Sequence, residues 1–401
     1  MRGVRARNKI TVINYYPLEF FGGGEVFSIG LFNRLNDFYD IEYVSPDNFR
    51  GQLRVGPGAI RERVHFRYSR VRFEGNGLPF SRTLFRPIPP FEYLNRTGLT
   101  MLFLDRPPPR RLLVRLSEGG RTAVFLLHGL TFERRSIRSI WGSAIAAYQE
   151  WVRLYMRLNR GLLSYDGFFY QVLNDSQLRF LSELGIRRSH IFLIPNSVDF
   201  TAYRVRRNDD KFRVLYLGRL DKLVKGSSLL MDVGRRLEKF AGRRIEFVIA
   251  GSGQSGGRVA ALFENSGVVK VLGQVTDEAQ KVDLLSSCNL MASFSNTEAF
   301  SISLLEGLAS GLPVLSTDVS GPAYIINRSQ AFGRVLRFSA EEFVGAIGEY
   351  YEKWSADPAS YFATKLERRK EAEAVFGGMA DVGRRYRGAL DVAMGRQTGS
   401  L

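Results

Sequence analysis

Two glutamates, Glu298 and Glu306, lie eight residues apart in a segment whose groups suit a ligand with both hydroxyls and phosphates. An apolar stretch at 290–294 leads through a polar turn into a helix predicted over about 301–310. At ~1.5 Å rise per residue the carboxylates are about 10 Å apart, close to the length of a sugar plus a diphosphate. The first free N–H groups of the helix lie between them and favour an anion. The spacing fits a nucleotide-sugar, and it equally fits a first-turn helix charge followed by a solvated surface glutamate.

This stretch resembles the Glu-x7-Glu motif of the retaining GT-B glycosyltransferases of the large GT4 family. In that family the first Glu contacts the donor sugar and the second holds the ribose hydroxyls. The resemblance assigns those roles to Glu298 and Glu306, and it adds Phe300 and Ser301 as donor contacts. Ala299 and Ser301 stand where the family commonly has glycine, and their Cβ atoms are expected to narrow the pocket and alter the sugar preference.

A basic loop follows the strand predicted at 213–217, where residues 217–227 read LGRLDKLVKGS. An arginine fork and a lysine point charge at a strand end can meet a diphosphate. The loop is similar to the family's Gly-Arg-Leu…Lys-Gly element, which implies that Arg219 and Lys225 neutralise the donor diphosphate. The spacing is one residue longer than the commonest form, so Lys222 is an alternative to Lys225.

Two further features lie near the amino-terminal strands. Three glycines at 22–24 precede a predicted helix, where their backbone N–H groups suit a phosphate or the close approach of another backbone segment. The loop resembles the family's Gly-Gly-x-Glu loop, which implies donor- or acceptor-side contacts at Gly23 and Gly24.

His128 follows the strand predicted at 123–127, at the edge where open α/β sheets bind ligands. A lone histidine is more often structural, but the family has an active-site His there, close to the transferred sugar. The resemblance is strong over 165–327, patchy over 11–35 and at His128, and absent across 50–120.

The elements that must position these residues are short apolar strands alternating with amphipathic helices, a pattern typical of βαβ units around parallel sheets. The strands are predicted at 9–14, 41–45, 101–104, 123–127, 168–173 and 191–194, and then at 213–217, 245–250, 268–272, 290–294, 313–316 and 333–336. We predict an α/β protein with two doubly wound, Rossmann-like domains, which in a GT-B fold face each other across a cleft. The predicted boundaries are an acceptor-side domain at 9–199, a linker at 200–211, a nucleotide-sugar-binding domain at 212–378 and a final helix at 379–395 that packs back on the first domain.

Composition limits the possible settings and partners. One cysteine, Cys288, excludes an intrachain disulfide and favours a reducing, cytoplasmic compartment. No apolar run reaches the ~20 residues of a membrane span, and the run after the basic N-terminus is too short for a signal peptide. The net charge of +17 is spread over the chain without a nucleic-acid-binding module, so we expect no nucleic-acid partner.

A long helical pattern over 137–163 combines aromatic and basic residues. Trp141, Trp151 and Tyr155 with Arg153, Arg157 and Arg160 would suit a helix on an anionic membrane surface, and the same pattern fits a core-facing helix with a basic outer face. The first interpretation predicts a peripheral protein on the inner face of a membrane.

The expected function is that of a retaining hexosyltransferase, which transfers sugar from a donor such as a UDP- or GDP-sugar to a glycan or lipid-linked acceptor. The resemblance implies catalytic roles for His128 and Glu298. No Asp-x-Asp pair occurs in the chain, so we expect a metal-independent reaction without a cofactor. Two alternatives stay open: a non-catalytic nucleotide-sugar-binding protein on the same fold, and a basic protein that binds membrane surfaces.

Overall fold

The computed structural model of the chain describes residues 7–20, 22–74, 89–95, 97–132 and 140–396. The described residues divide into two compact units. The first contains the residues up to 132, 148–196 and 379–396, and the second contains 140–147 and 197–378. The final helix therefore belongs to the first unit.

The first unit is built on seven strands. They are β1 Asn8–Ile13, β2 Tyr39–Pro46, β3 Arg67–Val71, β4 Leu99–Phe103, β5 Thr122–Leu126, β6 Phe168–Val172 and β7 Ile191–Leu193. The helices up to this point of the chain are α1 Gly23–Leu35, α2 Pro57–Arg61, α3 Phe91–Asn95, α4 Arg110–Glu118, α5 Ile140–Leu158, α6 Arg160–Leu163 and α7 Asp175–Glu183.

The second unit is built on six strands. They are β8 Phe212–Leu217, β9 Ile245–Ala250, β10 Val269–Gly273, β11 Leu290–Ser293, β12 Val314–Thr317 and β13 Gly333–Leu336. Its helices are α8 Ser227–Leu237, α9 Gly256–Leu262, α10 Glu278–Ser286, α11 Ile302–Ala309, α12 Ser320–Ile326, α13 Ala340–Ala356 and α14 Pro358–Phe376, and α15 Met379–Ala393 follows.

Both sheets are parallel and doubly wound. The strand order is β3-β2-β1-β4-β5-β6-β7 in the first unit and β10-β9-β8-β11-β12-β13 in the second. The chain reverses its direction of winding between β1 and β4, and again between β8 and β11. Ligands of open α/β sheets bind outside the carboxyl ends of the strands at such switch points.

The central strands are buried on both faces because helices cover both sides of a parallel sheet. Every residue of β4 and β6 is buried, and so is every residue of β11 and β12. Near-continuous apolar runs therefore predicted strand positions well. All twelve predicted strands are present, and each begins and ends within two residues of the predicted bounds. The additional strand β3, Arg67–Val71, was missed because its sequence, RYSRV, contains no apolar run.

The described part of the pattern over 137–163, residues 140–163, forms two helices, α5 and α6, which are separated at Asn159. The first three residues of the pattern lie outside the described residues. The prediction of a basic outer face is wrong for Arg153, which is buried, forms an ion pair with Glu150 and donates to the carbonyl of Phe132 at 2.6 Å. Trp151 and Tyr155 stack on each other and pack against the core. The side chain of Trp141 lies outside the described residues.

Candidate functional site

An ion pair spans the switch point of the second sheet. The Lys225 ammonium, in the loop after β8, binds the carboxylate of Glu298, in the loop after β11. Gly226 makes this approach possible: its φ is +64°, and a Cβ atom there would lie 1.9 Å from the carbonyl oxygen of Phe294. A side chain at this position would push the two loops apart. The structure thus brings together two residues predicted for the donor site.

The loop after β8 is shaped by Asp221, whose Oδ1 accepts the backbone N–H groups of Val224 at 2.7 Å and Lys225 at 3.0 Å. On the opposite loop, the Asn296 amide donates to the carbonyl of Lys222 at 3.0 Å. The Arg219 guanidinium is half-exposed and 3.6 Å from Asp221. These contacts fix the backbone and leave the Arg219 side chain accessible to a ligand. Lys225, rather than its alternative Lys222, is the lysine that meets Glu298.

Backbone contacts hold the segment from Glu298 to Ser301. The N–H of Gly321, near the start of α12, donates to the carbonyl of Glu298 at 3.1 Å. Phe300 is buried, so its side chain supports the loop from within. Ser301 is the N-cap of α11, and its hydroxyl lies 3.3 Å from that of Ser303 instead of capping the helix. The Ser301 hydroxyl is not committed to the free N–H groups of the first turn.

Glu306 lies on α11, buried among donors. Its Oε1 accepts the Tyr203 hydroxyl at 2.9 Å and the Lys281 ammonium at 2.7 Å. Lys281 also pairs with Glu278 at 2.8 Å. Burial disfavours the charged form of Lys281, but the attraction of the Glu306 and Glu278 carboxylates outweighs this effect, and the pKa of Lys281 is raised. Burial raises the pKa of Tyr203 most, and the neighbouring Glu306 carboxylate raises it further, so this hydroxyl remains a donor.

Lys281 and Tyr203 were not predicted as site residues from the sequence. Tyr203 lies in the stretch predicted as a linker, and its carbonyl accepts the Arg369 guanidinium of α14 at 2.7 Å. Lys281 lies on α10, where its sequence neighbour at i−3, Glu278, gives only an ordinary helical pair. No sequence motif marks either residue, because their partner Glu306 is remote along the chain.

The first unit holds the glycines and the histidine. The prediction that Gly23 and Gly24 lie in a loop before the helix is wrong: both are residues of α1, and Gly22 is the N-cap. The Glu25 carboxylate accepts the N–H of Gly22 at 3.0 Å. A Cβ atom at Gly24 would meet nothing within 4 Å, so open space adjoins the first turn. The amides of Gly23 and Gly24 are among those that a helix cannot satisfy itself.

His128 follows β5 and is surrounded by aromatic side chains. Its ring centroid lies 4.8 Å from that of Phe103 and 5.6 Å from that of Phe27. The hydroxyl of Tyr386, a buried residue of α15, lies 3.4 Å from His128 Nε2. Burial lowers the pKa of His128 to about 4, with Gln171 acting in the opposite direction. The imidazole is therefore neutral near pH 7 and can exchange hydrogen bonds with a hydroxyl.

Part of the chain is similar in sequence to known glycosyltransferases. Residues 199–367 match the family Glycosyl transferases group 1, less than half of the chain. The chain is 29% identical over 143 residues to a phosphatidylinositol N-acetylglucosaminyltransferase component of Arabidopsis thaliana, covering 34% of this chain and 31% of that protein. It is 30% identical over 156 residues to phosphatidyl-myo-inositol mannosyltransferase of Mycobacterium tuberculosis, covering 36% of each. The chain thus spans about a third of the length of these curated relatives.

The fold is shared with a solved structure over most of the chain. The Anabaena protein HepE, in complex with UDP and glucose, superposes with a TM-score of 0.67 at 15% identity and covers 96% of this chain and 100% of its own. Residues 199–367 therefore form a Glycosyl transferases group 1 domain within a chain that has the GT-B fold.

Proposed function

We propose that this protein is a retaining glycosyltransferase that moves a hexose from a nucleotide-sugar to an acceptor hydroxyl without a metal ion. The observation that carries the proposal is the pair of lysine-bound carboxylates, Lys225 with Glu298 and Lys281 with Glu306. Both carboxylates lie in the domain that matches a glycosyltransferase family. The first pair spans the switch point, where a nucleotide ligand is expected.

The diphosphate would bind at the basic loop after β8. Arg219 offers a half-exposed guanidinium, and Lys225 offers an ammonium whose present partner is the Glu298 carboxylate. A phosphate that enters this loop would share the ammonium and release part of Glu298 for sugar hydroxyls. The free N–H groups at the start of α11 would add partial positive charge to the same site.

The ribose would bind Glu306. Both protein donors reach Oε1, and among the described residues this leaves Oε2 to accept a ribose hydroxyl. A carboxylate whose rotamer is fixed before the ligand arrives loses little entropy on binding. Because HepE was crystallised with UDP, a UDP-sugar is the first donor to test.

In the proposed reaction the acceptor oxygen forms a bond to the anomeric carbon as the bond to the diphosphate oxygen breaks on the same face. The acceptor proton passes to the departing phosphate oxygen, and configuration is retained. Arg219 and Lys225 would stabilise the charge that develops on the diphosphate. In the first unit, His128 would hold a substrate hydroxyl as a neutral imidazole, and Tyr386 would orient its ring.

A lipid-linked acceptor is the second part of the proposal. Two relatives are named for phosphatidylinositol or phosphatidyl-myo-inositol. None of the described helices is both long and apolar enough to cross a bilayer. Helix α5 exposes Leu154 and Leu158, 55% and 76% accessible, with Arg157 beside them. Exposed leucines with a neighbouring arginine favour attachment to an anionic membrane surface.

The donor site is tested by calorimetric titration with UDP and GDP, followed by detection of nucleotide released from the matching sugar donors. We expect one nucleotide to bind wild type, and Glu306→Gln to weaken it. Glu341→Gln, an exposed glutamate of α13, is the matched control. Proton NMR of the product gives the anomeric configuration. Binding without transfer or hydrolysis would identify a non-catalytic nucleotide-sugar-binding protein, and binding of neither nucleotide would refute the proposal.

A further inference from the structure

Three aromatic side chains meet above the carboxyl ends of β1 and β2 in the first unit. Tyr16 and Phe20 follow β1, and Phe49 follows β2. Their ring centroids are 5.4 to 5.8 Å apart, and Phe49 meets Phe20 edge to face at 72°. Each ring is only half-buried. We refer to these three residues as the aromatic platform.

The two loops that carry the aromatic platform are bound to each other. The carbonyl of Glu19 accepts the backbone N–H groups of Arg54 at 2.9 Å and Val55 at 3.0 Å. The buried Glu19 carboxylate accepts the Tyr68 hydroxyl at 2.5 Å. The guanidinium of Arg54 lies 5.1 Å from the centre of the Phe20 ring. The platform is therefore positioned before any ligand arrives.

The platform adjoins a carboxylate at the switch point of the first sheet. The Tyr16 hydroxyl donates to Asp105 Oδ2 at 3.0 Å, and Asp105 follows β4, across the switch point from β1. Asp105 in turn contacts Gly129, where a Cβ atom would lie 2.6 Å from the Asp105 Cα. Gly129 is the residue after His128. Half-exposed aromatic rings, a carboxylate and the candidate catalytic histidine thus occupy one edge of one sheet.

We propose that the aromatic platform and Asp105 bind a pyranose ring of the acceptor, so that the acceptor, lipid-linked or free, carries a sugar. This inference rests on the proposed glycosyltransferase function. One face of a pyranose presents C–H groups that pack on aromatic rings, and its hydroxyls need acceptors such as a carboxylate. An isolated phosphate headgroup fits less well, because the Asp105 carboxylate repels it.

The test is saturation-transfer difference NMR on the full chain with methyl glycosides of glucose, galactose, mannose and N-acetylglucosamine, in the presence of the nucleotide that binds. We expect at least one glycoside to receive saturation mainly on the C–H groups of one ring face. Phe20→Ala and Phe49→Ala should each lower the affinity roughly 5- to 10-fold, because a stacking partner is lost. Asp105→Asn should weaken the same glycoside without changing which face is saturated.

The matched control is Phe38→Ala. Phe38 is also an exposed aromatic of the first unit under an arginine, Arg387, at 4.1 Å, but it lies away from the switch point. This variant should leave the NMR signal unchanged, and thermal melts identify any variant that fails to fold. Nucleotide titration is run on every variant. If wild type binds nucleotide but no glycoside, or if Phe20→Ala and Phe49→Ala bind as tightly as Phe38→Ala, the inference is wrong and the donor proposal survives. Loss of nucleotide binding in wild type would instead remove the proposed function.

Discussion

Lys281 Nζ lies 2.7 Å from Glu306 Oε1, and this ion pair links α10 to α11 in the second unit. The side chains are 14% and 9% exposed, so water screens the pair little. The Tyr203 hydroxyl reaches the same oxygen at 2.9 Å. The carboxylate proposed for ribose is therefore oriented by two residues that no motif reveals.

The first prediction concerns this orientation. Lys281→Met should weaken nucleoside diphosphate binding about 10- to 100-fold, since a hydrogen bond to a charged group contributes roughly 1.5–3 kcal/mol. Calorimetry with the nucleotide and its 2′- and 3′-deoxy analogues checks it. Wild type should discriminate against one deoxy analogue, and Lys281→Met should discriminate less. Lys270→Met, at an exposed position of β10, is the control; equal discrimination in wild type and Lys281→Met would show that Lys281 has no role in ribose binding.

The second prediction separates the two lysines of the basic loop. Lys225→Ala should lower kcat more than it raises KM for the donor, because charge on the leaving diphosphate grows in the transition state. Arg219→Ala should behave likewise. Lys222→Ala, whose backbone carbonyl is bound by Asn296, should change both constants little. If Lys222→Ala lowers kcat more than Lys225→Ala does, Lys222 is the lysine that stabilises the leaving diphosphate.

The third prediction concerns metal ions. Positive charge on the diphosphate is proposed to come from Arg219, Lys225 and the start of α11, so EDTA should leave the initial rate of transfer unchanged. The assay is nucleotide release with and without the chelator, using protein dialysed against EDTA. Loss of activity with EDTA and recovery with Mg²⁺ or Mn²⁺ would contradict a metal-independent reaction.

The fourth prediction concerns the charge of His128. Its pKa is lowered to about 4 by burial, so the neutral form is favoured in the folded protein. Its contribution to stability is fully present above the unfolded value of ~6.5 and is lost as pH falls from there through the folded pKa. The imidazole NMR signals of His128 should not titrate between pH 5.5 and 8. His128→Gln assigns these signals; titration of these signals near pH 6.5 would show that His128 is solvated.

The orienting role of Tyr386 is tested separately. Tyr386→Phe removes the hydroxyl 3.4 Å from His128 Nε2 but keeps the buried ring. It should lower kcat and shift the His128 NMR signals while the melting temperature stays close to that of wild type. A fall in melting temperature with unchanged His128 signals would indicate a packing role alone.

The fifth prediction concerns the membrane. A variant with Leu154→Gln, Leu158→Gln and Arg157→Gln should lose binding to vesicles that contain phosphatidylglycerol, and wild-type binding should weaken with salt because the Debye length is ~8 Å at physiological ionic strength. Co-sedimentation measures both effects. The control is a triple variant of exposed basic residues on and after α8, in which Arg235, Arg236 and Lys239 are each replaced by Gln. If the wild-type protein remains in the supernatant with these vesicles at low salt, the membrane proposal is wrong and α5 has a packing role only.

Sequence by itself determined the two-sheet architecture and the motif positions. Strands of a parallel sheet tend to be near-continuous apolar runs, and such runs marked twelve strands. The edge strand β3, with the sequence RYSRV, has no apolar run and was not predictable in this way. The spacing from Glu298 to Glu306 was readable because both lie in one short segment, in which a loop leads directly into a helix and fixes their relative positions locally.

Tertiary structure alone decided which groups meet across elements. Glu306 finds Tyr203, 103 residues away, and Lys281, 25 residues away, because the packing of the second unit places both beside α11. Tyr16 meets Asp105 across 89 residues at a switch point that only the strand order defines. The partner of Arg153 was also beyond the reach of sequence patterns. Helical periodicity predicted a basic surface position for Arg153, but its guanidinium is buried and donates to the carbonyl of Phe132. Local patterns fix the face of a helix, whereas the partner of a buried polar group depends on the elements packed against it.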